Sequence, residues 1–169
     1  TADGVDSESV ELFKRLNVGH VFVGVETGDE ELAKTIYKGR KFSPELTLKS
    51  IKLLTENGIG VTPSFVLGMP GESTETLKRT YSHAKEIKDV CEFEEIFSSA
   101  LIPFPGSIAF QRLEKRLQGE GTTLDTDIYD SEYLKHMWVD RFCDVDYETV
   151  MGYVDRILRL GKYTITIKG

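Results

Sequence analysis

Three short stretches of this chain place glycine beside groups that can bind a ligand or carry a charge. In Gly24-Val25-Glu26-Thr27-Gly28 an ionisable side chain ends an otherwise apolar run. A carboxylate so placed either caps the helix that follows or points into a barrel mouth, where it accepts hydrogen bonds from the vicinal hydroxyls of a sugar. In Leu67-Gly68-Met69-Pro70-Gly71-Glu72 a glycine-rich turn lets a ligand approach the backbone closely, and the helix after it offers unpaired amides. Read singly, it is also an ordinary turn. In Ile102-Pro103-Phe104-Pro105-Gly106-Ser107 two prolines stiffen a strand exit and leave backbone groups without ladder partners. A metal site built by this chain is not expected. Cys91 and Cys143 stand in no C-x-x-C pair and near no histidine, as befits free thiols of a reducing compartment. His20, His83 and His136 are scattered and read as ordinary surface or core histidines.

The elements that must position these stretches alternate regularly up to Pro105. Ser7 to Leu16 carries Val10, Leu12, Phe13 and Leu16 at helical spacing, with Asp6 or Ser7 as N-cap. His20 to Val25 is a short apolar run expected of a strand buried on both faces, ended by Glu26. Asp29 to Tyr37 predicts a short helix, and Ser43-Pro44 starts another that Asn57-Gly58 closes. Ile59 to Leu67 predicts a strand, Ser73 or Thr74 caps a helix to about Lys88, and a further strand falls within Phe93 to Ile102. Short connections between such elements are the pattern of right-handed β-α units on a parallel sheet. Beyond Pro105 the spacing predicts helices over Ile108 to Leu117, Glu132 to Phe142 and Tyr147 to Leu160, a polar loop over Gly119 to Asp130, and a half-exposed strand over Tyr163 to Ile167.

These elements predict an α/β fold: a partial, half TIM-like β/α barrel of parallel strands over residues 1–110, with a mainly helical extension over residues 111–169. Three or four strands cannot close a barrel, and Thr1 to Val5 resembles the tail of a strand, so partner strands are expected upstream in a longer parent. With 169 residues, 40% of them hydrophobic, the chain can bury a real core. Its 21 basic and 28 acidic residues give a net charge of −7, which argues against nucleic acid as the main partner. No apolar run approaches the roughly 20 residues that span a bilayer, and the first residues lack the pattern of a signal peptide. A cytoplasmic location with no membrane partner is the expectation.

In this order and spacing, Gly-Val-Glu-Thr-Gly, a Lys-Gly pair, Gly-Ile-Gly-Val-Thr-Pro-Ser-Phe-Val-Leu-Gly-Met-Pro-Gly-Glu and Pro-Phe-Pro-Gly-Ser resemble radical S-adenosylmethionine (SAM) enzymes. The resemblance is strongest to those grouped with cobalamin-binding domains and with the anaerobic magnesium-protoporphyrin monomethyl ester cyclase, and it covers roughly residues 1 to 110. It implies that Glu26 hydrogen-bonds the SAM ribose and that Lys38 meets the methionyl carboxylate. Ser64 falls where some members place an acidic ribose contact. Val66 and the loop holding Gly68, Gly71 and Glu72 would pack against adenine, and Leu101 and Ile102 would reach the same base through their backbone.

The resemblance also implies a [4Fe-4S] cluster held by C-x-x-x-C-x-x-C after the first barrel strand, a motif this chain does not contain. SAM and the cluster, with cobalamin as a further candidate, are therefore expected of the full-length parent, whose substrate would be a small molecule. This chain is expected to bind none of them tightly and to have no catalytic residue of its own. A homodimer through an exposed sheet edge is a further expectation. Two other readings compete: a stand-alone, non-catalytic half-barrel serving binding or assembly, and an unrelated β/α-barrel hydrolase or lyase using Glu26 and Glu72 as acid and base. The last lacks a supporting histidine or lysine pair.

Overall fold

The computed structural model describes residues 5–36, 43–124 and 130–162. Helix α1 (Ser7–Arg15) leads into strand β1 (His20–Glu26), followed by α2 (Glu30–Ile36) and α3 (Pro44–Glu56). Strand β2 (Gly60–Leu67), helix α4 (Thr74–Val90) and strand β3 (Phe97–Ala100) complete the alternating part, and α5 (Ile108–Gly119), α6 (Ser131–Phe142) and α7 (Tyr147–Leu158) form the extension. The fold class is as the sequence predicts: an open parallel sheet of three strands in the order β1-β2-β3, with helices. The Lys38 position and the strand expected over Tyr163 to Ile167 lie outside the described residues.

Local chemistry sets most boundaries. Asp6 accepts the amide of Ser9 at 2.8 Å to start α1, and Ser43 accepts that of Leu46 at 3.1 Å to start α3, with Pro44 at the first helical position. Ser73 and Thr76 form a reciprocal capping box at α4. Two Pro-Gly pairs make tight turns with the glycine in the left-handed region. Glu72 N–H donates to the Met69 carbonyl at 2.8 Å around Gly71 (φ 84°), and Ser107 N–H to the Phe104 carbonyl at 3.0 Å around Gly106 (φ 86°).

One hydrophobic cluster joins the sheet, its helices and the extension: Val23, Val25, Phe65 and Leu67 meet Ile51, Leu54, Leu77 and Ile87, and also Leu113, Trp138, Val150 and Ile157. Burying each such side chain is worth about 1.5–3 kcal/mol. Helix α7 lies against β3 and α4.

Strand β1 departs from its expected burial on both faces. Val23 and Val25 are buried, yet Phe22 between the same strand's inward residues is 62% exposed. The register pairs Phe22 with Thr62, Gly24 with Ser64, and Ser64 with Phe97, so these residues share the second face of the sheet. Phe22 and Phe97 meet edge to face at 6.0 Å over the middle strand, which shelters Thr62 and Ser64 while both rings stay exposed. Among the described residues no layer covers this face, so an apolar strand there is buried on one side.

Candidate functional site

The C-terminal end of this open face is where Glu26 stands. The β1–β2 register slips between Gly24 and Glu26, and Glu26 takes φ 65°, a conformation that costs a residue with a Cβ of order 1–3 kcal/mol. The slip turns the side chain back along the sheet. Its Oε1 lies where a Cβ on Gly24 would come within 2.6 Å, so the absence of a side chain at Gly24 makes room for the carboxylate. Glu26 is half-buried, no described group hydrogen-bonds its carboxylate, and burial pushes the carboxyl above its ordinary range.

Helix capping, the alternative role for Glu26, belongs to Asp29. Asp29 Oδ1 accepts the Leu32 amide at 2.7 Å, and its Oδ2 is 2.7 Å from the Arg79 guanidinium. Burial would raise the Asp29 carboxyl, but the bonds from Leu32 and Arg79 outweigh it and hold it low. The segment between Glu26 and Asp29 is pinned to α4: Thr27 Oγ1 and the Gly28 amide both meet Thr80 Oγ1 at 3.0 Å. A Cβ on Gly28 would fall 2.6 Å from His83 Cβ and 2.8 Å from the Arg79 carbonyl, so only glycine allows this approach.

Ser64 is buried beside Gly24, and Val66, two residues on, is half-buried on the same face. Glu26, Ser64 and Val66 thus come together. Leu101 extends the ladder by donating its amide to the Leu67 carbonyl at 2.8 Å, and both it and Ile102 are half-buried.

The glycine-rich loop is held differently from the expectation of free amides. Glu72 is fully buried; its Oε2 accepts the Gly68 amide at 3.1 Å and its Oε1 the Thr76 hydroxyl at 2.5 Å. Burial raises the Glu72 carboxyl against these hydrogen bonds. Its oxygens therefore close their own turn, which leaves the hydrolase-like pairing of Glu26 with Glu72 without a free second carboxylate. The extension occupies the outside of the loop. Trp138 Nε1 donates to the Gly68 carbonyl at 2.7 Å, Gly71 N–H to the Phe142 carbonyl at 2.7 Å, and Asp144 N–H to the Glu72 carbonyl at 2.7 Å. Sequence reasoning singled out none of Trp138, Phe142 and Asp144.

Cys91 is buried and burial raises its thiol; Cys143 donates to the Met69 carbonyl at 3.4 Å and is pushed up to about 12 by burial and by the Glu72 charge. Among the described residues no three His, Cys, Asp or Glu side chains converge as metal ligands. These thiols do not fit an iron–sulfur cluster. The upper end of the open face does fit a nucleoside, since the Glu26 carboxylate and the Ser64 hydroxyl there have hydrogen-bonding capacity that no described group takes up.

Residues 1–84 match the family described as the Radical SAM superfamily. The chain is 34% identical over 103 residues to a protein of Methanocaldococcus jannaschii provisionally named a methylthiotransferase, covering 61% of this chain and 22% of that one. It is 27% identical over 114 residues to the anaerobic magnesium-protoporphyrin IX monomethyl ester cyclase of Rubrivivax gelatinosus, covering 67% and 19%. The fold is similar to that of coproporphyrinogen III oxidase from Escherichia coli, a radical SAM enzyme, with a TM-score of 0.53 at 15% identity over 92% of this chain and 31% of that one. The sheet thus has a partial radical SAM barrel-like fold, and the chain spans about a fifth of the length of the curated relatives it matches. Among the described residues no helix is long and apolar enough to cross a membrane.

Proposed function

We propose that this chain supplies the ribose- and adenine-contacting end of a radical SAM barrel, with the other half, including the cluster cysteines, contributed by the upstream part of a longer cytoplasmic parent. The observation that carries this reading is the Glu26 carboxylate, half-buried at the end of β1, held in a strained conformation and without a described protein partner. Such a group is suited to accept both hydroxyls of a ribose diol, and Ser64 beside Gly24 adds a hydroxyl on the same face. Val66 and the Gly68–Glu72 turn would flank the base, with Leu101 and Ile102 offering backbone groups at the neighbouring strand end. Lys38 would meet the methionyl carboxylate.

In the parent, bound SAM would supply a 5′-deoxyadenosyl radical or take part in cobalamin-dependent methylation or cyclisation of a small molecule. This chain's own residues bind and orient the nucleoside and shield the base. Titration calorimetry of S-adenosylhomocysteine into the full-length parent protein tests the reading. Glu26→Gln should weaken binding about 10- to 100-fold, the value of a charge-assisted hydrogen bond of about 1.5–3 kcal/mol. Unchanged affinity in the variant, or no binding by the unmodified protein, would favour a non-catalytic assembly module instead.

A further inference from the structure

We infer that Trp138 is a positioning residue for the cofactor loop: through it the helical extension sets the shape of the Gly68–Glu72 turn against which the nucleoside packs. This rests on the assignment of that turn to the SAM site. A glycine-rich turn is conformationally permissive, because its glycines reach left-handed and right-handed regions at similar cost. Gly68 and Gly71 stand at φ 79° and 84°, so something must select this one arrangement.

Glu72 does so from inside, through the Gly68 amide. The extension does so from outside. Trp138, 1% exposed, places its indole N–H on the Gly68 carbonyl at 2.7 Å, and its ring stacks on Phe142 at 4.2 Å between centroids. The stack fixes the last turn of α6, whose Phe142 carbonyl receives the Gly71 amide. Beyond it the Cys143 thiol and the Asp144 amide bond to Met69 and Glu72. Val139, one residue after Trp138, presses a methyl against Gly68, where a Cβ would come within 3.2 Å. Four extension hydrogen bonds therefore reach Gly68, Met69, Gly71 and Glu72, and the part of the loop left open to a ligand is its edge at Pro70 and Gly71. Freed of Trp138, the turn would sample other conformations, and binding would carry the cost of selecting the competent one.

Trp138→Phe keeps an aromatic ring on Phe142 and removes the N–H. In the intact protein it should speed amide hydrogen exchange at Gly68 and Gly71 but not at Val23 or Val25. It should weaken S-adenosylhomocysteine binding about two- to tenfold, the worth of a neutral hydrogen bond. Val139→Ala, which removes the methyl facing Gly68, should act in the same direction should Trp138→Phe fail to fold. Ile157→Val, a buried change in α7, serves as the stability control and should leave affinity unchanged. Because Trp138 is the single tryptophan of the chain, its indole N–H resonance should also move on ligand addition. Unchanged affinity in Trp138→Phe or Val139→Ala, with Glu26→Gln still weakened, would overturn the positioning role and leave the nucleoside site standing. Loss of affinity in Ile157→Val equal to that in Trp138→Phe would reduce the tether to general stability. No binding by the unmodified protein would overturn the site itself, and the inference with it.

Discussion

The Glu26 carboxylate folds back over Gly24, within 2.6 Å of where a Cβ on that residue would stand, and it does so from a backbone conformation that glycine alone adopts freely. A strained, half-buried carboxylate without a described partner works against folding, so its removal should stabilise the protein. Glu26→Gln should raise the melting temperature at pH 7. The carboxyl is raised from 4.5 by burial, so its contribution to stability is fully present below about pH 4.5 and is lost as pH rises through the folded value. Thermal melts from pH 4 to 8 should show a flatter profile in the variant, and an unchanged slope would contradict this account.

Substitution of Glu72 should have the opposite effect on stability. Its oxygens serve the Gly68 amide and the Thr76 hydroxyl inside a buried turn. Glu72→Ala leaves the buried Gly68 amide without a partner, while the Thr76 hydroxyl keeps the Ser73 carbonyl at 2.9 Å, and should cost about 1–3 kcal/mol in urea unfolding; Glu72→Gln should cost less. Equal stability of Glu72→Ala and the unmodified protein would remove the carboxylate's structural role.

How much of this was legible in the sequence depends on how local the cause is. Caps such as Asp6, Ser43 and Ser73 could be read because a side chain and an amide a few residues on decide them. Glu26 stood out because a charge ends an apolar strand. Asp29 carried a cap signal of its own, an acidic residue just ahead of Glu30 and Glu31, yet the more conspicuous Glu26 drew that reading. The bond from Trp138 to Gly68 spans 70 positions and depends on how α6 meets the loop, which no local pattern encodes. The burial expected on both faces of β1 failed for a similar reason: its second face needs strands opposite it, and apolar composition cannot say whether they are present.

His83 should give the protein an acid-sensitive component. The ring is buried behind Gly28, its Nε2 has no hydrogen-bond partner among the described residues, and Glu86 sits 3.4 Å from Nδ1. Burial holds its pKa below 6.5 despite Glu86. The neutral ring therefore contributes stability that is present above about pH 6.5 and is lost as pH falls through the folded value. Urea midpoints measured between pH 5 and 8 should decline toward acid, and His83→Leu should remove most of that decline. An identical decline in the variant would assign it to other groups.

The open face should drive self-association of the chain by itself, which we propose as its route to a homodimer. Phe22 is 62% and Phe97 41% exposed, their rings touch, and the two residues lie on β1 and β3, the outer strands of the described sheet. Helix α7 packs on β3 and α4 and α6 on the glycine-rich loop, and both rings stay exposed despite them. Apolar surface next to unpaired strand edges favours pairing with a second copy, by edge addition or by packing two open faces together. Sedimentation over a wide concentration range should show a monomer–dimer equilibrium, and replacing Phe22 and Phe97 with serine should shift it toward monomer by weakening face-to-face packing. The serine variant separates the two geometries, because edge pairing through backbone groups would survive the loss of both rings. A monomer at every concentration, with no binding of a dye that reports exposed apolar surface, would mean that residues of the chain itself seal the face.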